Sequence, residues 1–171
     1  MIITITGLPG SGKTTIAKGL AKHFHIKHYS MGDFVRKIAK KKKMSVLELS
    51  RKSEKIVDEM DALQKKIART HKNAIIDSRL GAYLIKNAHI RIYIYAPLKT
   101  RVKRIAQRDK TSYNESYHQT LAREREELKH YKKRYNIDYR NKKLYNIILN
   151  TNKLKLNEGI KKVINKIEKL N

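Results

Sequence analysis

Near the amino end, Gly7-Leu8-Pro9-Gly10-Ser11-Gly12-Lys13-Thr14 fills every position of the spacing G-x-x-x-x-G-K-[ST], a pattern built to hold a polyphosphate. Glycines let a short turn aim successive backbone N–H groups at one centre, and the start of the following helix adds favourable partial charge. Lys13 brings an ammonium to the β- and γ-phosphates, and the Thr14 hydroxyl suits a hard cation such as Mg²⁺. Thr15 continues the turn into the helix. The alternative is a glycine-rich strand-to-helix turn that merely packs, and the filling of every motif position argues against it.

A second chemical residue is Asp77, at the end of the apolar run Asn73-Ala-Ile-Ile-Asp77. A carboxylate there is costly to bury unless it accepts hydrogen bonds or serves a magnesium shell, directly or through water. Its alternative role is an N-cap for a segment starting near Ser78. Phosphoryl transfer also needs positive charge around the in-line path. Arg36, Arg79, Arg104, Arg108, Arg123 and Arg125 are the available guanidinium groups, whose forked donors grip phosphate oxygens in pairs. Each, taken alone, has a solvated surface charge as its alternative.

These residues need a scaffold. Met1–Thr6 is a β-branched run bounded by Gly7 and reads as a buried parallel strand, followed by a helix with Ile16, Leu20 and Phe24 in step. Strands are expected near Ile26–Tyr29, Asn73–Asp77, His89–Ala96 and Tyr145–Leu149, and two helices between Met31 and Arg69, one of them over Val46–Ala68. Pro97 opens a helix over Leu98–Arg108. Tyr113–Tyr135 is charge-dense and reads as a weakly packed helical hairpin, either a mobile lid or an ordinary solvated face. A last helix over Asn157–Leu170 carries the stripe Ile160, Val163, Ile164 and Ile167, expected to pack on the sheet.

At 171 residues and 40% hydrophobic content the chain has the length of one domain with enough apolar surface for a single core. With no cysteine, disulfides, thiolate metal sites and cysteine nucleophiles are excluded, and a cytoplasmic setting is expected. No apolar run approaches a membrane span. The balance of 41 Lys+Arg to 15 Asp+Glu gives +26, which favours polyanions in general. Lysine is spread along the whole chain, with one uninterrupted run at Lys40–Lys43 and no aromatic residue within it to stack bases. Biased composition accounts for that pattern as well as a nucleic-acid partner does.

Together with the glycine loop, the segments Ser30-Met-Gly32-Asp-Phe-Val-Arg36, Asp77-Ser-Arg79-Leu-Gly81 and Ala96-Pro97-Leu98-Lys-Thr-Arg101-Val-Lys-Arg104-Ile-Ala-Gln-Arg108 resemble the nucleoside monophosphate kinases, and within them the archaeal type of cytidylate kinase. The likeness extends over Asp61 to Gln64, Arg123-Glu-Arg-Glu-Glu and Tyr135-Asn-Ile-Asp138, so it covers nearly the whole chain. It implies an α/β three-layer P-loop kinase fold with a central five-stranded parallel sheet. The core would comprise residues 1–29, 71–108 and 139–171, the acceptor-binding region 30–70 and the helical lid 109–138.

By the same resemblance, ATP with Mg²⁺ would phosphorylate CMP or dCMP. Residues Gly7 to Thr15 would hold ATP, and Arg104 would flank its adenine. Ser30 and Arg36 would touch the acceptor phosphate, Arg79 would bridge the two nucleotides, and Arg108 and Arg123 would close on the transferring group. Asp61 and Gln64, three apart on one helical face, would read the cytosine edge. The chain departs from the family near Glu126, where serine is expected, and near His130, where arginine is expected, so the lid's second phosphate contact would be weaker here or made by Arg125 or Lys129. Leu80 stands where bacterial relatives carry an acid. The expected partners are small nucleotides taken by a monomer, with no membrane and only weak, non-specific contact with nucleic acid.

Overall fold

The computed structural model describes residues 1–46, 48–49 and 54–170. Strands β1 (Ile2–Thr6), β2 (Lys27–Ser30), β3 (Ala74–Asp77), β4 (Ile90–Tyr95) and β5 (Ile147–Asn150) form one sheet in the order β2-β3-β1-β4-β5. Every neighbouring pair is parallel, which requires long crossovers. Helices supply them. Helix α1 (Lys13–Phe24) follows β1, α2 (Met31–Lys41) and α3 (Glu54–Thr70) follow β2, and α4 (Gly81–Leu84) follows β3. Helices α5 (Leu98–Asp109) and α6 (Tyr113–Tyr135) join β4 to β5, and α7 (Leu156–Glu168) closes the described chain.

All five residues of β1 are buried, as befits an inner strand covered on both faces. Alternation along the strands divides the core in two. Ile3, Ile5, Ile75, Ile92 and Ile147 pack beneath α1 and α7, against Ile16, Leu20, Val163 and Ile167. Ile2, Ala74 and Ile76 face the opposite way, onto Met31 of α2 and Ile67 and Ala68 of α3. The stripe on the last helix therefore does meet the sheet, with Ile160 and Ile164 at its margin.

Register sets the position of the chemistry. Ser30 pairs with Asp77, and Asp77 with Ile5, so β2, β3 and β1 end level. The chain leaves the sheet at Gly7, Met31 and Ser78 along one edge, the carboxyl edge where ligands of open α/β sheets are held.

Two expectations are revised, and a third lies partly outside the described residues. Tyr113–Tyr135 is one helix of 23 residues, not a hairpin, because neither glycine nor proline interrupts it; it stops at Asn136, left-handed at φ 52°, a conformation asparagine tolerates. The last strand begins at Ile147 rather than Tyr145. Lys142–Leu144 form a 3₁₀ turn, and the Tyr145 ring packs on Tyr93 at 4.9 Å. Of the helix expected over Val46–Ala68, residues 47 and 50–53 lie outside the described residues, and a helix runs over Glu54–Thr70.

Candidate functional site

The turn between β1 and α1 is shaped by its glycines and braced from below. Gly10 and Gly12 are left-handed, at φ 73° and 92°, and a Cβ on Gly10 would stand 2.5 Å from the Arg101 carbonyl oxygen. No residue with a side chain fits there. The guanidinium of Arg101, 4% exposed, donates to the carbonyls of Pro9 at 3.1 Å and Ala96 at 3.0 Å. It also pairs with Glu124 of α6. Helix α1 starts after Gly12 without a side-chain cap, so its first N–H groups point into the turn. The Leu8 side chain packs away, among Leu80, Ile137 and Tyr139.

Lys13 and Thr14 open α1 beside Asp77. The Thr14 hydroxyl donates to Asp77 Oδ2 at 2.6 Å, and His28 Nε2 lies 3.9 Å from the same oxygen. Asp77 is 3% exposed, and it caps no helix, since the residue before α4 is Leu80. Burial pushes its carboxyl up, but Lys13, the nearby His28 and the hydrogen bond from Thr14 outweigh that and hold it below the usual range. For Lys13 burial dominates, reinforced by Arg79, and brings the ammonium down to about 7. A hydroxyl and a carboxylate side by side form a hard oxygen pair that fits Mg²⁺. Among the described residues no group of three His, Cys, Asp or Glu could hold a metal alone, so such an ion would complete its shell with water and phosphate oxygens.

Two of the expected arginines share one carboxylate. Arg79 donates to Glu127 Oε2 at 2.9 Å and to the Gly7 carbonyl at 2.8 Å, while Arg123 donates to Glu127 Oε1 at 2.8 Å. Burial pushes the Glu127 carboxyl up, but the two guanidinium groups outweigh it and hold it at about 2. Arg79 is held above its ordinary value, Glu127 overcoming the effect of burial. Three more of the expected arginines are also engaged. Arg104 holds Thr151 through its hydroxyl at 3.0 Å and its carbonyl at 2.8 Å, Arg36 pairs with Asp33, and Arg108 forks onto Asp109 with two bonds of 2.7 Å.

A polar chain lies across α3. Ser78 Oγ donates to Gln64 Oε1 at 2.7 Å, Gln64 Nε2 donates to Asp61 Oδ1 at 3.1 Å, and the Tyr135 hydroxyl donates to Asp61 Oδ2. Asp61, Gln64 and Ser78 are 9%, 3% and 5% exposed. Burial raises the Asp61 carboxyl in spite of these bonds. Ser30, 6% exposed, accepts from the Asp33 N–H at 3.2 Å as the cap of α2.

One cavity of about 990 Å³ joins these groups. Ser30, Arg36, Asp61, Gln64 and Arg79 line it, and so do Lys13, Thr14, Thr15 and Asp77. Arg104, Arg108 and Arg123 complete the set of expected residues at its wall, with Pro9, Gly10 and Gly12 from the turn, whereas Gly7, Leu8 and Ser11 do not reach it. Leu80 reaches the wall, whereas Arg125 and Lys129 are exposed and do not line it. The sequence did not single out Glu127, Arg101, Ser78 or Tyr135. Only the four-residue spacing of Arg123 and Glu127 on one helix gives a local signal; Arg79 and Glu127 meet across 48 residues.

Comparisons with known proteins identify the family and agree with the fold. A family model described as "Cytidylate kinase-like family" matches residues 2–153. The chain is similar to the cytidylate kinase of Sulfurisphaera tokodaii, 38% identical over 168 residues, covering 96% of this chain and 93% of the relative. It is likewise 38% identical over 159 residues to that of Methanosarcina barkeri, covering 90% and 88%. Among solved structures, an uncharacterised protein from Eubacterium ventriosum superposes with a TM-score of 0.75 at 19% identity, covering 98% of both chains. A shikimate kinase from Acinetobacter baumannii in complex with shikimate does so with a TM-score of 0.66 at 19% identity, covering 98% and 93%.

Proposed function

The chain belongs to the cytidylate kinase-like family, and from that premise we propose that it transfers the γ-phosphoryl group of ATP to CMP, and to dCMP, giving ADP and the nucleoside diphosphate. The observation that carries this reading is the single cavity shared by Lys13 and Thr14 at one part of its lining and by Ser30, Arg36, Asp61 and Gln64 at another. A donor triphosphate and an acceptor monophosphate can meet there without water between them.

In the proposed reaction the amides of the turn and Lys13 hold the β- and γ-phosphates. Thr14 and Asp77 would hold Mg²⁺, Asp77 through water, and the ion when bound supplies positive charge at the phosphate oxygens. Ser30 and Arg36 position the acceptor phosphate, an oxygen of which attacks the γ-phosphorus as the bond to the ADP oxygen breaks. Arg79, Arg108 and Arg123 stabilise the equatorial oxygens, while Arg104 flanks adenine. To do so Arg79 and Arg123 exchange Glu127 for phosphate. Residues 30–70 act as the acceptor region and 109–138 as the lid over a core formed by the rest.

The test is acceptor-dependent ADP formation with CMP, dCMP, UMP and AMP. CMP or dCMP giving the highest kcat/KM is the expected result. AMP well above CMP would instead assign an adenylate-kinase-like activity, and ATP turnover stimulated by RNA but indifferent to CMP would assign an RNA-associated ATPase.

A further inference from the structure

Gln64 cannot turn its amide freely. Its neighbour Asp61 offers only acceptor oxygens when ionised, so the Gln64 atom 3.1 Å from Oδ1 must be the NH₂ group. The carbonyl end is then directed at Ser78, whose hydroxyl meets it at 2.7 Å. Asp61 is in turn held from its other oxygen by the Tyr135 hydroxyl, at the end of α6. Both Asp61 and Gln64 line the cavity. Each of the two keeps unused capacity: the second N–H of Gln64 and the second lone pairs of the carboxylate.

We propose that Ser78 and Tyr135 are positioning residues that reinforce the polarity imposed by Asp61, with Gln64 as donor and Asp61 as acceptor, so that the site takes an amino-type base edge and refuses a keto-type one. This rests on the functional reading above, in which Asp61 and Gln64 face the acceptor base. Cytosine carries an acceptor ring nitrogen, N3, beside a donor amine, N4, and satisfies the pair. Uracil carries N3–H beside O4. Its N–H would meet the Gln64 N–H, and its oxygen would meet the carboxylate, so both contacts become repulsive, and in a site this buried neither can turn to water. Adenine shares the cytosine polarity, with N1 beside N6, so this lock separates CMP from UMP and leaves the choice between CMP and AMP to the size of the site.

The experiment measures kcat/KM for CMP and UMP in the intact protein and three variants, with the KM for ATP as a control. In Ser78→Ala the Gln64 carbonyl loses its donor, and only the bond from Gln64 Nε2 to Asp61 still holds the amide in its orientation, so the lock is weakened. The CMP-to-UMP ratio is expected to fall about 10-fold, the scale of one bidentate base contact, with the ATP KM unchanged. Asp61→Asn removes the acceptor-only partner and lets both amides reverse, so kcat/KM for UMP is expected to rise in absolute terms, an outcome that general damage would not produce. Tyr135→Phe is expected to shift the ratio in the same direction by less. Should Ser78→Ala fail to fold, Asp61→Asn decides. An unchanged ratio in the folded variants, or a wild-type protein that prefers UMP, overturns the lock while leaving the kinase reading intact. A wild-type protein that phosphorylates no nucleoside monophosphate overturns that reading, and the lock with it.

Discussion

Burial brings the Lys13 ammonium down to about 7, so near neutrality the unliganded protein holds this side chain partly deprotonated, and a polyphosphate that pairs with it must draw in a proton. ADP binding at pH 8 is therefore expected to take up protons and to weaken as the pH rises above 7. Calorimetry in buffers of different ionisation enthalpy checks this, and heats independent of buffer would contradict it. The sign for folding is opposite to that of a salt-bridged lysine. The folded chain binds fewer protons than the unfolded one between about 7 and the ordinary value of 10.5, so this residue makes stability increase with pH across that window. Lys13→Ala should fold and lose on the order of 10²-fold or more in kcat. Glu127 gives a second prediction. Its carboxyl lies at about 2, below the ordinary 4.5, so its contribution is present above 4.5 and disappears as pH falls toward 2. Glu127→Gln leaves Arg79 and Arg123 facing each other half-buried and unpaired, at a cost of about 3 kcal/mol in urea unfolding. ADP should then raise the melting temperature of the variant by more than it raises that of the wild type, since phosphate no longer has to replace a carboxylate.

Helix α6 links the parts of the site: Glu124 holds the arginine under the phosphate turn, Glu127 gathers Arg79 and Arg123, and Tyr135 reaches Asp61 on α3. If α6 closes on the nucleotides, Arg123→Ala should reduce kcat by a larger factor than it raises the KM for CMP; equal factors in steady-state kinetics would argue against closure. Within the turn, Gly10→Ala meets both a left-handed backbone and the Arg101 carbonyl at 2.5 Å, and is expected to abolish measurable nucleotide binding by calorimetry. The strands and the glycine turn were legible in the sequence because β-branched runs and G-x-x-x-x-G-K-[ST] are local signals, whereas the five-stranded parallel sheet followed from the family resemblance and the strand order was not legible. The single α6 was misread as two segments since its polar residues give no continuous apolar stripe, and continuity follows instead from the absence of a helix breaker before Asn136. The arginines could be named individually, but not their partners. Arg79 with Glu127 and Tyr135 with Asp61 are contacts between elements far apart in sequence, which only the placement of α6 beside Arg79 and α3 creates.

Over the whole molecule, +26 at 171 residues sets a strong positive potential, most of it from lysines spread along the chain rather than gathered in the cleft. Long polyanions should therefore adhere weakly and let go steeply as salt is raised. The cleft differs, and Glu127 is the reason. Most ligands of a cationic pocket expel small ions that had condensed there from solution, which is why their affinity follows the ionic strength so closely. Here two of the cationic groups already carry a tethered anion from the protein's own chain. In the proposed reaction a nucleotide arriving at Arg79 and Arg123 would evict that built-in tenant, whose departure would not depend on how much potassium chloride is dissolved outside.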